Sequence, residues 1–117
     1  MADYSSKPNK QRFEKYNMPL HLARARLSCH LSKELRKELK RRSLSLRIND
    51  VVKIMRGSHK SKTGKVTQVN LKGTAFVEKI TRKKSDGTEI QVPLTVSNLL
   101  LIELDRKDKK RIKKKAA

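Results

Sequence analysis

Residues 49–69 read Asn-Asp-Val-Val-Lys-Ile-Met-Arg-Gly-Ser-His-Lys-Ser-Lys-Thr-Gly-Lys-Val-Thr-Gln-Val, two short apolar-alternating runs joined by a loop rich in cations. In the first run Val52 and Ile54 point one way while Lys53 and Met55 point the other, the period of two that marks a half-buried strand. The pair Arg56-Gly57 then turns the chain. The second run begins at Gly64, a residue suited to positive φ or to close backbone approach, and continues to Val69. Val66 and Val69 stand three apart, which predicts a bulge in that strand. Between the runs, Ser58, His59, Lys60, Ser61 and Lys62 offer ammonium groups, hydroxyls and backbone N–H groups. These are ligands for phosphate rather than parts of a catalytic machine.

Downstream, Asn70-Leu71-Lys72-Gly73 predicts a turn, and residues 74–81 a third strand with Phe76, Val77 and Ile80 available for burial. Residues 83–87 form a hairpin turn in which Asp86-Gly87 predicts positive φ at both central positions. A fourth strand follows over 88–92. Pro93 has no N–H for a ladder and so marks an edge or a strand end, and the apolar run 98–104 supplies the last strand. Five short strands within about 55 residues predict a mainly β chain built on a small antiparallel barrel. Residues 1–18 and 105–117 hold almost no side chains able to form a core. The expected organisation is therefore a basic arm (1–18), a basic helical extension (19–47), the barrel (48–104) and a basic tail (105–117).

Leucines 27, 31, 35 and 39 repeat every four residues, which predicts one apolar stripe on a helix. Ser32 suits its N-cap, Glu34 its first turn, and Lys40, Arg41 and Arg42 its far end, where cations favour the helix dipole. Pro19 suits a helix start, with residues 20–26 as a separate helical turn. The helix charge, at Lys33, Arg36, Lys37 and Lys40, lies mostly off the leucine stripe.

Thirty-one basic side chains face eleven acidic ones, a net charge of +20 on 117 residues, one domain's worth of chain. A compact domain with that charge repels itself, so it is expected to sit against a polyanion: nucleic acid first, anionic membrane second. The aromatics are Tyr4, Phe13, Tyr16 and Phe76, too few for a broad base-stacking surface. No apolar run is long enough to span a membrane, and the first residues lack a signal core, so the expectation is a soluble chain that stays where it is made. One cysteine, Cys29, excludes an internal disulfide and fits a reducing cytosol; packing is its expected role. Cys29, His21, His30 and His59 show no paired metal-ligand spacing. There is no P-loop, nucleophile elbow or His-Glu-x-x-His, and the carboxylates are isolated among cations. Neither enzymatic activity nor a cofactor nor a metal is expected.

A single run of charge is usually a solvated surface, but here the runs recur. Lys7, Lys10, Arg12 and Lys15 stud a segment too poor in apolar residues to fold alone; phosphate contacts would offset the cost of ordering it, the alternative being a disordered solubilising arm. Lys33–Arg42 has only Glu34 and Glu38 to pair its cations, which favours RNA contact over an idle helix face. For the run 106–115, nonspecific RNA contact and no defined role stay equally open. His59 has no neighbouring nucleophile or orienting carboxylate and is read as a hydrogen-bonding or stacking residue.

The strand–loop–strand of 49–69 resembles the KOW motif of ribosomal proteins and transcription elongation factors. It differs at Ser61, where that family often has glycine, and at Asn49, where glycine or aspartate is usual. The segments 6–12, 16–21, 31–36 and Arg42-Ser43, and downstream 85–89 and 92–99, are further similar to the family of large-subunit ribosomal protein twenty-four, archaeal and eukaryotic type, which often has proline at the position of Val96. The resemblance covers about residues 6–104. It implies an SH3-like barrel and a structural protein that binds large-subunit rRNA, acts early in subunit assembly, lies beside the nascent-peptide tunnel exit and has neighbouring ribosomal proteins as partners. It implies a cytoplasmic place within the ribosome, with no membrane partner and no homo-oligomer. It carries RNA contact onto Lys7, Lys10, Arg12, Pro19, His21, Ser32, Lys33, Arg36, Arg41 and Arg42 in the extension, and onto Arg56, Gly57, Ser58, His59, Lys60, Ser61 and Lys62 in the loop. Gly57 and Gly64 would keep that loop close to the RNA backbone. The rival is a KOW module of an elongation factor; such factors place an α/β domain before the module, and residues 1–48 are too basic and too poor in β-branched residues to be one. A membrane-surface or DNA-compacting protein leaves the loop unexplained.

Overall fold

The computed structural model describes residues 5–112. Along the chain run helix α1 (Pro8–Asn17), α2 (Leu20–Ala23), a 3-10 turn (Arg24–Leu27), β1 (Ser28–Leu31), α3 (Lys33–Leu39), β2 (Ser43–Ser45), β3 (Val51–Ile54), β4 (Thr63–Asn70), β5 (Thr74–Val77), β6 (Thr81–Lys83), β7 (Glu89–Gln91), β8 (Leu94–Thr95), a second 3-10 turn (Val96–Asn98) and β9 (Leu99–Glu103). The predicted alternation holds in β3: Val52 and Ile54 are buried and Lys53 is exposed. They meet Leu99 and Leu101 of β9, Val66 of β4, and Ala75 and Val77 of β5 in one apolar core.

Seven strands form a mixed, barrel-like sheet in the order β2-β1-β9-β3-β4-β5-β8, with β6 and β7 as a separate hairpin. Strand β4 serves twice, pairing β3 through its first residues and β5 through its last. The predicted bulge lies between, at the register shift from Val66 to Gln68; an extra residue bends the strand from one partner to the other. The pairs are antiparallel except β1 with β9, where His30 faces Leu100 and Leu31 faces Leu101 in parallel.

The third strand is shorter than its apolar residues predict. It ends at Val77 because Lys79 turns the chain through φ +65 before β6 begins at Thr81. In the β6–β7 hairpin only Gly87, not Asp86, has positive φ. The loop is a type I turn closed by Gly87 N–H to Lys84 O (3.0 Å), not a two-residue turn. Asp86 acts through its side chain, whose Oδ1 accepts from Thr88 N–H at 3.0 Å and from Thr88 Oγ1 at 2.7 Å.

The extension is more than helical. The four leucines do not share a helix: Leu27 ends the 3-10 turn, Leu31 ends β1, and only Leu35 and Leu39 lie on α3. A spacing of four satisfies a helix stripe and, with Cys29 and Leu31, a strand face as well. The free edge of β9 settled the choice by offering β1 a ladder. Ser32 caps α3 as predicted, its Oγ accepting from Leu35 N–H at 3.4 Å, and Lys40 ends it in the left-handed region, φ +53. Helix α1, within the predicted arm, buries no side chain.

The segment following β9 folds back on the body as far as Ile112, which packs against the core. Arg111 is buried. Its Nη1 donates to Asp50 Oδ1 at 2.8 Å, and its Nη2 donates to Asp50 Oδ2 and to the Ser45 carbonyl, the latter at 2.9 Å. Asp50 also accepts from the backbone N–H groups of Arg47 (2.9 Å) and Asp105 (3.0 Å). Outside the body, Arg106 grips Glu38 of α3 through two bonds of 2.7 and 3.0 Å, and Arg47 pairs with Asp108. Lys113, Lys114 and Lys115 of the predicted basic run, and Tyr4, lie outside the described residues.

Candidate nucleic-acid interface

The β3–β4 loop is fixed at its base. Ser61 N–H donates to Ile54 O at 2.8 Å and Ile54 N–H to Lys62 O at 2.9 Å, while Met55 N–H ties the strand end to Asn98 O at 2.8 Å. Two overlapping turns fill the tip: Lys60 N–H to Gly57 O and Lys62 N–H to His59 O, both 3.2 Å. Ser61 (φ +72) supplies the left-handed third residue of the second turn, and Gly57 (φ +101) redirects the chain into the first. Ser61 and Asn49 (φ +75), the two places where the chain differs from the KOW pattern, are thus non-glycine residues in a conformation suited to glycine. The side chains of Arg56, Ser58, Lys60, Ser61 and Lys62 are exposed; His59 is half-buried, its Nδ1 3.5 Å from Lys62 Nζ.

Gly64 makes a close approach within the protein itself. A Cβ there would meet Val77 Cγ1 at 2.6 Å and the Glu78 carbonyl oxygen at 3.0 Å. The close approach it allows is between β4 and β5, inside the protein.

Of the extension residues, Lys7 precedes α1 as its cap position, and Lys10 and Arg12 stand exposed on that helix, Arg12 donating to Asn9 Oδ1 at 3.3 Å. Pro19 starts α2, its carbonyl accepting from Leu22 and Ala23 N–H at 3.0 Å, and His21 is exposed. Ser32 spends its hydroxyl on capping α3, Lys33 is exposed beside it, and Arg36 is half-buried, with a buried Nε that finds no hydrogen-bond partner. Arg41 and Arg42, with Lys40 and Ser43, line a cleft of about 500 Å³ whose wall contains no carboxylate.

The register sorts these residues between the two ends of the sheet. Ile54 lies opposite Leu99, and β1 runs parallel to β9, so the 55–62 loop and the chain entering β1 from α2 share the end where β9 begins. Helix α3, and Arg41 and Arg42 leading into β2, share the end where β9 runs out.

Three ion pairs join described residues, and they use Arg47, Arg106 and Arg111. None of the candidate cations takes part in them. Hydrogen bonding to Glu38, with its charge, raises the pKa of Arg106, and the Arg47 side-chain bond and the Lys110 N–H hold the Asp108 carboxyl below its ordinary range. The sequence reading overlooked Lys40 as a cleft residue and left the role of Arg111 open; the pointer to the latter was Asp50, an acid at the head of a strand. A small β body that turns three arginines onto its own acids and, among the described residues, leaves the candidate cations at both ends without an ion pair has the features of a basic structural protein of a nucleoprotein particle.

Residues 5–115 match the family of ribosomal proteins described as L26 in eukaryotes and L24 in archaea. The chain is 42% identical over 109 residues to large ribosomal subunit protein uL24 of Sulfolobus acidocaldarius, covering 92% of this chain and 81% of that one. It is 41% identical over 108 residues to the protein of the same name from Methanosarcina barkeri, covering 92% and 93%. The chain belongs to this family of eukaryotic L26 and archaeal L24 ribosomal proteins. It is a structural ribosomal constituent and not an enzyme.

Proposed function

We propose that the chain is part of the large ribosomal subunit, binds large-subunit rRNA through phosphate contacts, acts early in subunit assembly and lies near the exit of the nascent-peptide tunnel. The observation that carries this reading is the two groups of cations, without an ion pair among the described residues, at opposite ends of one sheet: Arg56, Lys60 and Lys62 in the loop, and Lys33 at the start of α3 with Arg41 and Arg42 beyond its end. Cations held apart on a rigid body can bridge phosphates of separate RNA helices, which then pack against each other. Arginines grip phosphate bidentately, and lysines act as point charges. The extension residues from Lys7 to Arg42 and the loop residues from Arg56 to Lys62 named above make these contacts. Large-subunit proteins are the neighbours, and the place of work is the cytoplasmic ribosome.

Filter binding of the full chain to a large-subunit rRNA fragment across a salt series tests the RNA contact. The expected log–log slope is several units, and a flat response overturns the reading. Gradient co-sedimentation with early large-subunit precursors tests the assembly role, and crosslinking followed by RNA sequencing tests the placement. Family membership removes the support for an elongation-factor module.

A further inference from the structure

Helix α1 has an unexpected composition for a segment that buries nothing. Its exposed large side chains are Phe13 and Tyr16, at 69% and 79% of full exposure, interleaved with Lys10, Arg12 and Lys15. One side of the helix overhangs the barrel. There Arg12, Lys15 and Tyr16 face Lys72, Thr74 and Pro93 across a cleft of about 560 Å³. The barrel wall is rigid: Asn70 holds the turn through Lys72 N–H to Oδ1 (3.1 Å) and Gly73 N–H to its carbonyl (3.0 Å), and Thr74 is locked in register opposite Thr95.

We propose that this cleft receives one unpaired nucleotide of RNA. The base stacks on the Tyr16 ring with the Pro93 ring opposite, the flanking phosphates lie against Arg12, Lys15 and Lys72, and the Thr74 hydroxyl bonds a base edge or a 2′-hydroxyl. The lining chooses between occupants. Three cations with no carboxylate fit a polyanion, and the apolar contribution is an aromatic and a proline face, without the aliphatic side chains that an apolar peptide would fill. The volume suits a group of that size. A paired base keeps both faces covered by its neighbours, so the ligand is a bulged or looped-out nucleotide. One such site is compatible with a chain too poor in aromatics for a broad stacking surface. The inference rests on the RNA-binding reading above and adds to it a defined unpaired-nucleotide site.

The test uses the full chain and two RNA hairpins of equal length, one fully paired and one carrying a single bulged 2-aminopurine. The wild type is expected to prefer the bulged hairpin by about tenfold and to change the fluorophore's emission on binding. Tyr16→Ala should abolish the preference and Tyr16→Phe retain it. Because α1 buries nothing, both variants should melt as the wild type does, which a thermal scan verifies. Equal binding of the two hairpins by the wild type, or an undiminished preference in Tyr16→Ala, overturns the pocket. So does a Tyr16→Ala chain that keeps its RNA preference but loses association with a neighbouring subunit protein, which reassigns the helix to protein contact. A wild-type chain that binds neither hairpin at any salt overturns the RNA-binding reading itself, a distinct result.

Discussion

Arg111 and Asp50, 61 positions apart, meet inside the protein as a two-pronged ion pair with side-chain exposures of 3% and 0%. A charge buried to that degree is tolerable because the partner charge and the surrounding hydrogen bonds offset most of its desolvation, although Arg111 Nε finds no partner among the described residues; removing one member strands the other. Arg111→Ala is therefore expected to destabilise the fold by about 3–5 kcal/mol in urea unfolding. Glu38→Ala and Asp108→Ala, which break the solvent-exposed pairs, should barely move the midpoint. Equal effects of all three would refute the distinction.

Gly64→Ala should cost about 1–3 kcal/mol, because the added methyl meets the Glu78 carbonyl, a backbone atom that cannot swing aside. Gly57 differs, since open space surrounds its Cβ position and only its φ resists substitution. If salt-dependent RNA binding of the Gly64→Ala protein, measured under folding conditions, fell while its unfolding midpoint stayed put, Gly64 would belong to the RNA contact instead.

Ser61→Gly should stabilise the loop by about 0.5–1 kcal/mol: relieving a left-handed serine outweighs the extra freedom that glycine gives the unfolded chain. A lower melting temperature for this variant would contradict the account of the turn. Asn49→Gly should gain less, because asparagine tolerates that conformation better.

Cys29 is enclosed and its thiol donates to Leu99 O at 3.1 Å; burial, with the nearby Asp50 charge, pushes its pKa from 9.0 up to about 12. The folded chain thus holds this proton more tightly than the unfolded one. The resulting stability is complete below about pH 9 and is lost as pH rises toward 12, at no more than about 1.4 kcal/mol per unit. Cys29→Ala should flatten that decline, and native Cys29 should resist a thiol reagent until the protein unfolds. Rapid labelling of the folded protein at neutral pH would disprove the enclosure.

Lys60→Ala with Lys62→Ala should weaken rRNA binding across unrelated sequences and reduce the log–log salt slope by roughly 1.5–2, the share of two phosphate contacts. Altered preference between RNA sequences at unchanged slope would show that these lysines read bases.

Strands β3 and β9 were legible in the chain because alternation and apolar runs report burial directly, and the β4 bulge showed in the spacing of Val66 and Val69. The need for a bare backbone at Gly64 was legible too, but not its cause, since β5 is a neighbour only in three dimensions. Strand β1 was hidden because its leucines also fit a helical period and its partner, β9, lies far along the chain. Arg111 was hidden because a cation destined for the interior looks the same as the lysines around it. The loop cations were readable from type and spacing, whereas the Lys40–Ser43 cleft and the opposed walls around Tyr16 exist only once α3 ends and α1 lies across from Lys72, Thr74 and Pro93.

Strand β9 lies between β1 and β3, and among the described residues it is the last strand to leave the ribosome that makes this chain. Until it emerges, the early strands have no bridge to the β3–β4–β5 unit, and Asp50 waits longer still for Arg111. Synthesis therefore presents the cationic N-terminal helix to any waiting RNA well before a sheet exists to hold it. A chain cut short of Arg111 would leave the Asp50 carboxylate buried without its partner charge, so the acid at the head of β3 depends on a residue made 61 positions later.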